Sequence, residues 1–293
     1  FSIGANTLTL ENSLTVTGGS MTGGTSSNLV VAANASAGSV SLPAISGNLN
    51  NLTAARAAGT NMGADLTVYG TLSLTGGAFS IGANTLTLDN ALSLTSGTLT
   101  GGSTSNLSIT SATASKLTLP TISGNLNDLT INRSNGVDMG DNLTVGGELD
   151  LASGIFSIKA NTLTLGNSLA VSSGSLKGGT TSNMVVAANV SAGGLTLPAI
   201  TDHLNNLTAA RAAGTNMSAD LTVYGTLSLT GGAFSIGANT LTLDKALEVS
   251  SGTLTGGTSS NLVVTANASA AGVTLPAISG HLDNLTTARA AGT

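Results

Sequence analysis

The stretch L-T-V-Y-G-T-L-S-L-T-G-G-A-F-S-I-G-A-N-T-L-T-L-D-N-A-L-S-L-T-S-G-T-L, residues 66–99, decides the fold. Apolar residues alternate with Thr or Ser in short bursts: Leu66-Thr67-Val68, Leu72-Ser73-Leu74, Phe79-Ser80-Ile81, Leu86-Thr87-Leu88 and Leu92-Ser93-Leu94. Successive side chains of an extended chain point to opposite faces, so each burst is a short strand with one apolar face. The bursts begin at 66, 72, 79, 86, 92 and 99, and Gly, Asn or Asp fill the gaps. Every third burst keeps one constant step, from Leu66 to Leu86, Leu72 to Leu92 and Phe79 to Leu99. This spacing predicts an all-β chain, a parallel β-solenoid (β-helix) of three sides with about 20 residues per rung.

A longer period surrounds this stretch. Phe1, Phe79, Phe156 and Phe234 each open a version of F-S-I-x-A-N-T-L-T-L, at steps of 78, 77 and 78. One proline per unit (Pro43, Pro120, Pro198, Pro276) and one arginine per unit (Arg56, Arg133, Arg211, Arg289) keep nearly the same step. The units are 1–78, 79–155, 156–233 and 234–293, the last incomplete, and we expect one continuous array cut from a longer chain. At about four rungs per unit, roughly fifteen rungs at a spacing of about 4.8 Å predict a rod of about 70 Å. Rung length drifts in the second half of each unit, and Pro120 is expected at a corner because it cannot donate to a ladder. Hairpins are disfavoured: Asn135-Gly136 is the one N-G or D-G pair and lacks matched flanking strands. The best helical candidate, residues 52–58, is short.

Composition narrows the function. Hydrophobic residues are 41%, aromatic residues 2% and charged residues 7%, so the core is Leu, Val, Ile and Ala under a neutral Thr/Ser/Asn surface. Net charge is −5 with scattered Lys and Arg, which argues against nucleic acid. No apolar run approaches the ~18 residues of a membrane helix. Cysteine is absent, which removes disulfides and thiolate metal sites.

The side chains that most often carry chemistry form no motif. His203 and His281 stand where earlier units have Asn48 and Asn125, which marks a polar turn position. Asp138, Asp141, Glu148 and Asp150 are the densest acids, and calcium is conceivable there, although the G-G-x-G-x-D repeat is missing. No phosphate loop or G-x-S-x-G elbow is present, so we expect no catalytic, cofactor or metal residues and no enzyme. The arginine column Arg56, Arg133, Arg211, Arg289 has two readings. It is a row of anchors along one edge for sulfated or carboxylated glycans, or a row of structural side chains bonding backbone carbonyls or acids such as Asp65 and Asp220.

The phrase I-S-G-N-L-N-D-L-T-I-N-R-S-N-G-V (122–137), followed by D-N-L-T-V-G-G-E-L-D-L-A-S-G (141–154) and S-I-K-A-N-T-L-T-L (157–165), resembles repeats of very long secreted proteins of Bacteroidota-type bacteria. Those proteins look like surface adhesins exported by type 9 secretion. The resemblance implies an extracellular or cell-surface setting. The expected function is a fibre stalk, with neighbouring repeats or protomers as partners and glycans or abiotic surfaces held weakly at many points. Two alternatives are an ice-binding solenoid, suggested by outward Thr67, Ser73, Thr75, Thr87, Ser93 and Thr95 although Ser interrupts the rows, and a polysaccharide-processing β-helix enzyme.

Overall fold

The computed structural model describes residues 1–266 and 273–288, which form an all-β parallel β-solenoid with no helix among them. The chain divides into two compact units, Phe1–Asp141 with Ala152–Gly154, and Asn142–Leu151 with Ile155–Thr293.

In the first unit each lap after the first lays one strand on each of three faces, and the pairings described below are parallel. One face stacks Thr7–Leu10, Asn28–Val31, Asn51–Ala54, Thr71–Leu74 and Ala91–Leu94 in that order. Its register aligns Leu8, Leu29, Leu52, Leu72 and Leu92 in one inward row. A second face stacks Leu66–Val68, Thr85–Leu88, Asn106–Ser111 and Leu129–Arg133. A third stacks Val40–Leu42, Thr60–Met62, Ala78–Ser80, Thr98–Thr100 and Ile122–Ser123. The second unit repeats the scheme. Its longest face runs Leu143–Val145, Thr162–Leu165, Asn183–Val186, Asn206–Ala209, Thr226–Leu229 and Ala246–Val249.

Alternation in sequence becomes alternation in burial. Leu29, Leu52, Leu72, Leu86 and Phe79 are buried while their Thr, Ser and Asn neighbours face outward. Each fully buried Leu or Phe is worth about 1.5–3 kcal/mol against exposure. Residues 52–58 begin within the strand Asn51–Ala54 rather than in a helix, because Leu52 and Ala54 point inward with period two. Pro43 and Pro120 do sit between strands, at corners. Lap length drifts as expected. Rungs of about 20 residues are the rule, but the laps from Leu29 to Leu52 and from Met21 to Ile45 are longer.

The number of laps per sequence period differs from expectation. Eleven sides precede Ala78–Ser80, counting the Ser2 bridge, the unpaired 14–16 stretch and nine strands from Thr7–Leu10 to Thr71–Leu74. Eleven sides on three faces are three and two-thirds laps, not four, and the two units together make about 14 turns, not fifteen. Corresponding residues one period apart therefore lie on different faces. Thr7–Leu10 belongs to the first face, and its sequence counterpart Thr85–Leu88 belongs to the second.

Polar side chains fasten one lap to the next. The buried hydroxyls of Ser27 and Ser105 donate to the carbonyls of Gly4 and Gly82 at 2.5 Å. In the second unit Ser182 and Ser260 do the same to Lys159 and Gly237. Asn51 Nδ2 donates to Asn28 Oδ1 at 2.9 Å, and Asn51 Oδ1 accepts from the Thr71 amide at 2.8 Å, so one amide joins three laps. Such bonds satisfy polar groups that burial would otherwise penalise.

Candidate functional site

The arginines end or follow the strands Asn51–Ala54, Leu129–Arg133 and Asn206–Ala209. There the side chains turn inward instead of outward. Relative exposures of 0% for Arg56, 1% for Arg133 and 0% for Arg211 place each guanidinium wholly inside its unit. A buried charge is costly unless fully hydrogen-bonded, and each of these is richly bonded. Arg56 Nε donates to Ala32 O at 3.0 Å and Nη1 to Gly38 O at 3.0 Å. Its Nη2 lies 3.3, 3.0 and 3.1 Å from the carbonyls of Leu10, Glu11 and Asn12. Those acceptors belong to the two preceding laps, so one side chain ties three laps together. Arg211 repeats the pattern on Ala187, Gly193, Asn167, Leu165 and Gly166. Arg133 bonds Ser115, Asp89, Thr110 and Asn90, again all at carbonyls.

Burial lowers the pKa of Arg133 and of Arg211 from the ordinary arginine value, and nearby Asp89 opposes the effect at Arg133. Guanidinium stays charged throughout ordinary solution conditions all the same. Among the described residues neither Asp65 nor Asp220 receives an arginine. Their carboxylates accept the amides of Thr85 and Thr240 at 2.7 Å, a role Asn142 fills for Thr162. The expected single edge of arginines does not form: Arg56 follows a first-face strand and Arg133 ends a second-face strand. Arg289 lies outside the described residues.

The acids disperse in the same way. Asp138 pairs with Lys116 at 2.5 Å, Asp141 accepts from Thr121 Oγ1 at 2.6 Å, and Glu148 accepts from Ser168 Oγ at 3.1 Å. Among the described residues no three His, Asp or Glu side chains gather as metal ligands. The outward rows mix residue types: one reads Thr9, Val30, Thr53, Ser73, Ser93 down the first face. Rotation of the sequence period from face to face prevents a uniform Thr lattice.

A cluster in the second unit carries a signal that sequence reasoning missed. His203 Nδ1 lies 2.8 Å from Asp202 Oδ1, and its ring centroid is 4.1 Å from that of Tyr224, tilted by 42°. Asp202 has φ +76°, a left-handed conformation unusual for a residue with a Cβ. Earlier periods place Gly47 and Gly124 there, with φ +85° and +88°. An aspartate where glycine is the conformational default was the available clue. Lone histidines at an Asn position gave no hint of a partner ring on the following lap.

No protein-family model, no curated protein and no solved structure matches this chain.

Proposed function

We propose that the chain is the repetitive stalk of a bacterial extracellular fibre or surface adhesin, with weak multivalent contact to glycans or surfaces along its neutral face. The observation that carries the reading is the three-lap arginine clamp. It is a device for keeping laps from parting, which suits a structural element under load. Side chains inside such clamps offer nothing to a ligand, so we assign Arg56, Arg133 and Arg211 to structure. Adhesion falls to the exposed Thr, Ser and Asn, whose single contacts are weak but add through repetition. The resemblance to secreted Bacteroidota-type repeats supports a cell-surface location and type 9 export. Nothing in this reading requires a cofactor or a reaction.

Two measurements test it. Electron micrographs of the native protein should show thin fibres of uniform width, and their absence overturns the stalk. A dense layer of the chain should retain glycan-coated beads, and failure to do so reduces the chain to a spacer.

A further inference from the structure

We propose that Tyr69 and Tyr224 are stacking platforms for a neutral pyranose chain, and that Asp202 and His203 brace the second platform. This rests on the adhesive part of the function proposed above and names its ligand class.

The two tyrosines are the only ones in a chain without tryptophan. They are 44% and 43% exposed, whereas Phe79, Phe156 and Phe234 are buried. A half-exposed aromatic ring offers an apolar face beside water, which is how tyrosine serves recognition surfaces. Each platform is pinned through its backbone. The Tyr69 amide donates to Leu49 O at 2.8 Å and the Gly70 amide to Asn50 O at 2.6 Å. Tyr224 and Gly225 repeat these bonds to Leu204 and Asn205 at the same distances. A side chain at position 70 would meet the Asn50 carbonyl at 2.6 Å and its amide oxygen at 2.8 Å, so glycine there lets the turn after Tyr69 close on the preceding lap. Asn205 stands in the same relation to Gly225. An exposed aromatic face suits a sugar ring, whose C–H face packs on it while its hydroxyls stay in water. A neutral sugar fits because few residues of the chain are charged and its net charge is −5, which disfavours an anionic sugar.

The platforms differ in bracing. His203 packs on Tyr224 and is held by Asp202, while Asn48 and Gly47 occupy the corresponding positions beside Tyr69. Asp202 adopts its left-handed backbone without the freedom of glycine. A ring already immobilised loses less freedom on binding, so the Tyr224 platform binds more tightly.

The chain itself supplies the probe, because tyrosine emission without tryptophan reports on these two rings alone. Titration of the whole chain with cellotetraose should change that emission saturably, in two steps. Tyr224→Ala should remove the tighter step and Tyr69→Ala the weaker. His203→Asn should weaken the tighter step about two- to tenfold, the range expected from immobilising one side chain. Ligand-observed saturation-transfer NMR should show transfer abolished in the Tyr69→Ala/Tyr224→Ala double variant and retained in the double Phe variant, with unfolding midpoints confirming that both are folded. No response to millimolar cellotetraose, unchanged NMR transfer to the double Ala variant, or preference for an oligogalacturonate overturns the proposal. If the double Ala variant abolishes NMR transfer but still retains glycan-coated beads, the platforms stand and adhesion has further sites. If wild type retains beads and shows no NMR transfer, the platforms fail and the broader adhesive reading survives.

Discussion

The corners around Arg56 and Arg133 do the same job with different residues. Arg56 bonds the carbonyls of Leu10, Glu11, Asn12, Ala32 and Gly38, and Arg133 bonds those of Asp89, Asn90, Thr110 and Ser115. Four of these positions correspond pair by pair, yet Glu11 has become Asp89, Ala32 has become Thr110, and Gly38 has become Ser115. The loop between the last two positions is also one residue shorter beside Arg133, which explains the shorter step of that period. The guanidinium adapts by turning: Nε faces Ala32 in one corner and Ser115 in the other. A clamp that reads backbone oxygens leaves side chains free to vary and tolerates a deletion.

Removing the clamp should produce the largest effect. Arg133→Met is expected to cost about 3–5 kcal/mol, the scale of breaking a buried charged network. Arg133→Lys should lose more than half of that, since an ammonium cannot present a planar fork to four carbonyls. Denaturant midpoints measure both, and hydrogen exchange should place the new opening in the laps from Asp89 to Arg133. A double-mutant comparison with Asp89→Asn separates carbonyl clamping from pairing with Asp89. Burial puts the folded pKa of Arg133 below its unfolded value, so the arginine alone adds stability only as pH rises through that folded pKa, in the strongly alkaline range. The Met-variant deficit should thus be equal at pH 5 and pH 9. A deficit that shrinks in an Asp89→Asn background would show that the carboxylate carries much of the effect.

The same pair of periods supplies a smaller test inside the core. Thr60 and Thr215 are buried with hydroxyls that have no hydrogen-bond partner among the described residues, and Val137 stands at the corresponding position between them. Thr60→Val should stabilise by about 1–2 kcal/mol, since it removes an unsatisfied buried hydroxyl. Val137→Thr should destabilise by a similar amount. If Thr60→Val is neutral or harmful in thermal melts, the hydroxyl has a partner that the side-chain arrangement does not reveal.

Much of this architecture was legible in the alternation of Leu66 to Leu99, because period two and a three-burst spacing translate directly into faces and laps. The arginine geometry was not. Arg56 is far from Leu10 in sequence, and their meeting depends on two laps of unequal length, Leu8 to Leu29 and Leu29 to Leu52. No local pattern encodes that sum. The rotation of faces was hidden for a related reason: the laps from Leu29 to Leu52 and from Met21 to Ile45 exceed 20 residues, so a 78-residue step read at 20 per lap looks like twelve sides and holds eleven. The His203–Tyr224 contact also joins neighbouring laps, and its strained Asp202 is visible only once φ is known.

The shortened loop offers the next contrast. In the longer loop Asn34 Oδ1 accepts from the Ser36 amide while Nδ2 donates to Glu11 O. In the shorter one Ser111 takes φ +116°, and its Oγ accepts from the amides of Thr113 and Ala114 at 3.3 and 3.0 Å. Ser111→Ala keeps the unfavourable backbone and removes both acceptors, for an expected loss of about 1 kcal/mol. Asn34→Ala should cost about as much, since it too removes a local acceptor and a donor to the neighbouring lap. A roughly tenfold faster amide exchange at Thr113 and Ala114, without change elsewhere, is the matching local signature of Ser111→Ala.

The smallest difference concerns the surface. Lys116 and Asp138 form an ion pair at 2.5 Å where the preceding period has Ser39 and Asn61, and the Lys116 side chain is 44% exposed. An exposed ammonium gains little from a neighbouring carboxylate, because water screens the charge and holding the long side chain costs rotamer freedom. Lys116→Ser should therefore lower stability by no more than about 1 kcal/mol, and the deficit should vanish in about 0.5 M salt. The Arg133→Met deficit should persist at the same salt, since its charge lies inside the fold where mobile ions do not reach. Measured side by side, the two salt responses distinguish a charge used as a buried fastener from one that decorates the surface. Equal salt sensitivity would mean that Arg133 is solvated and that the clamp opens in solution.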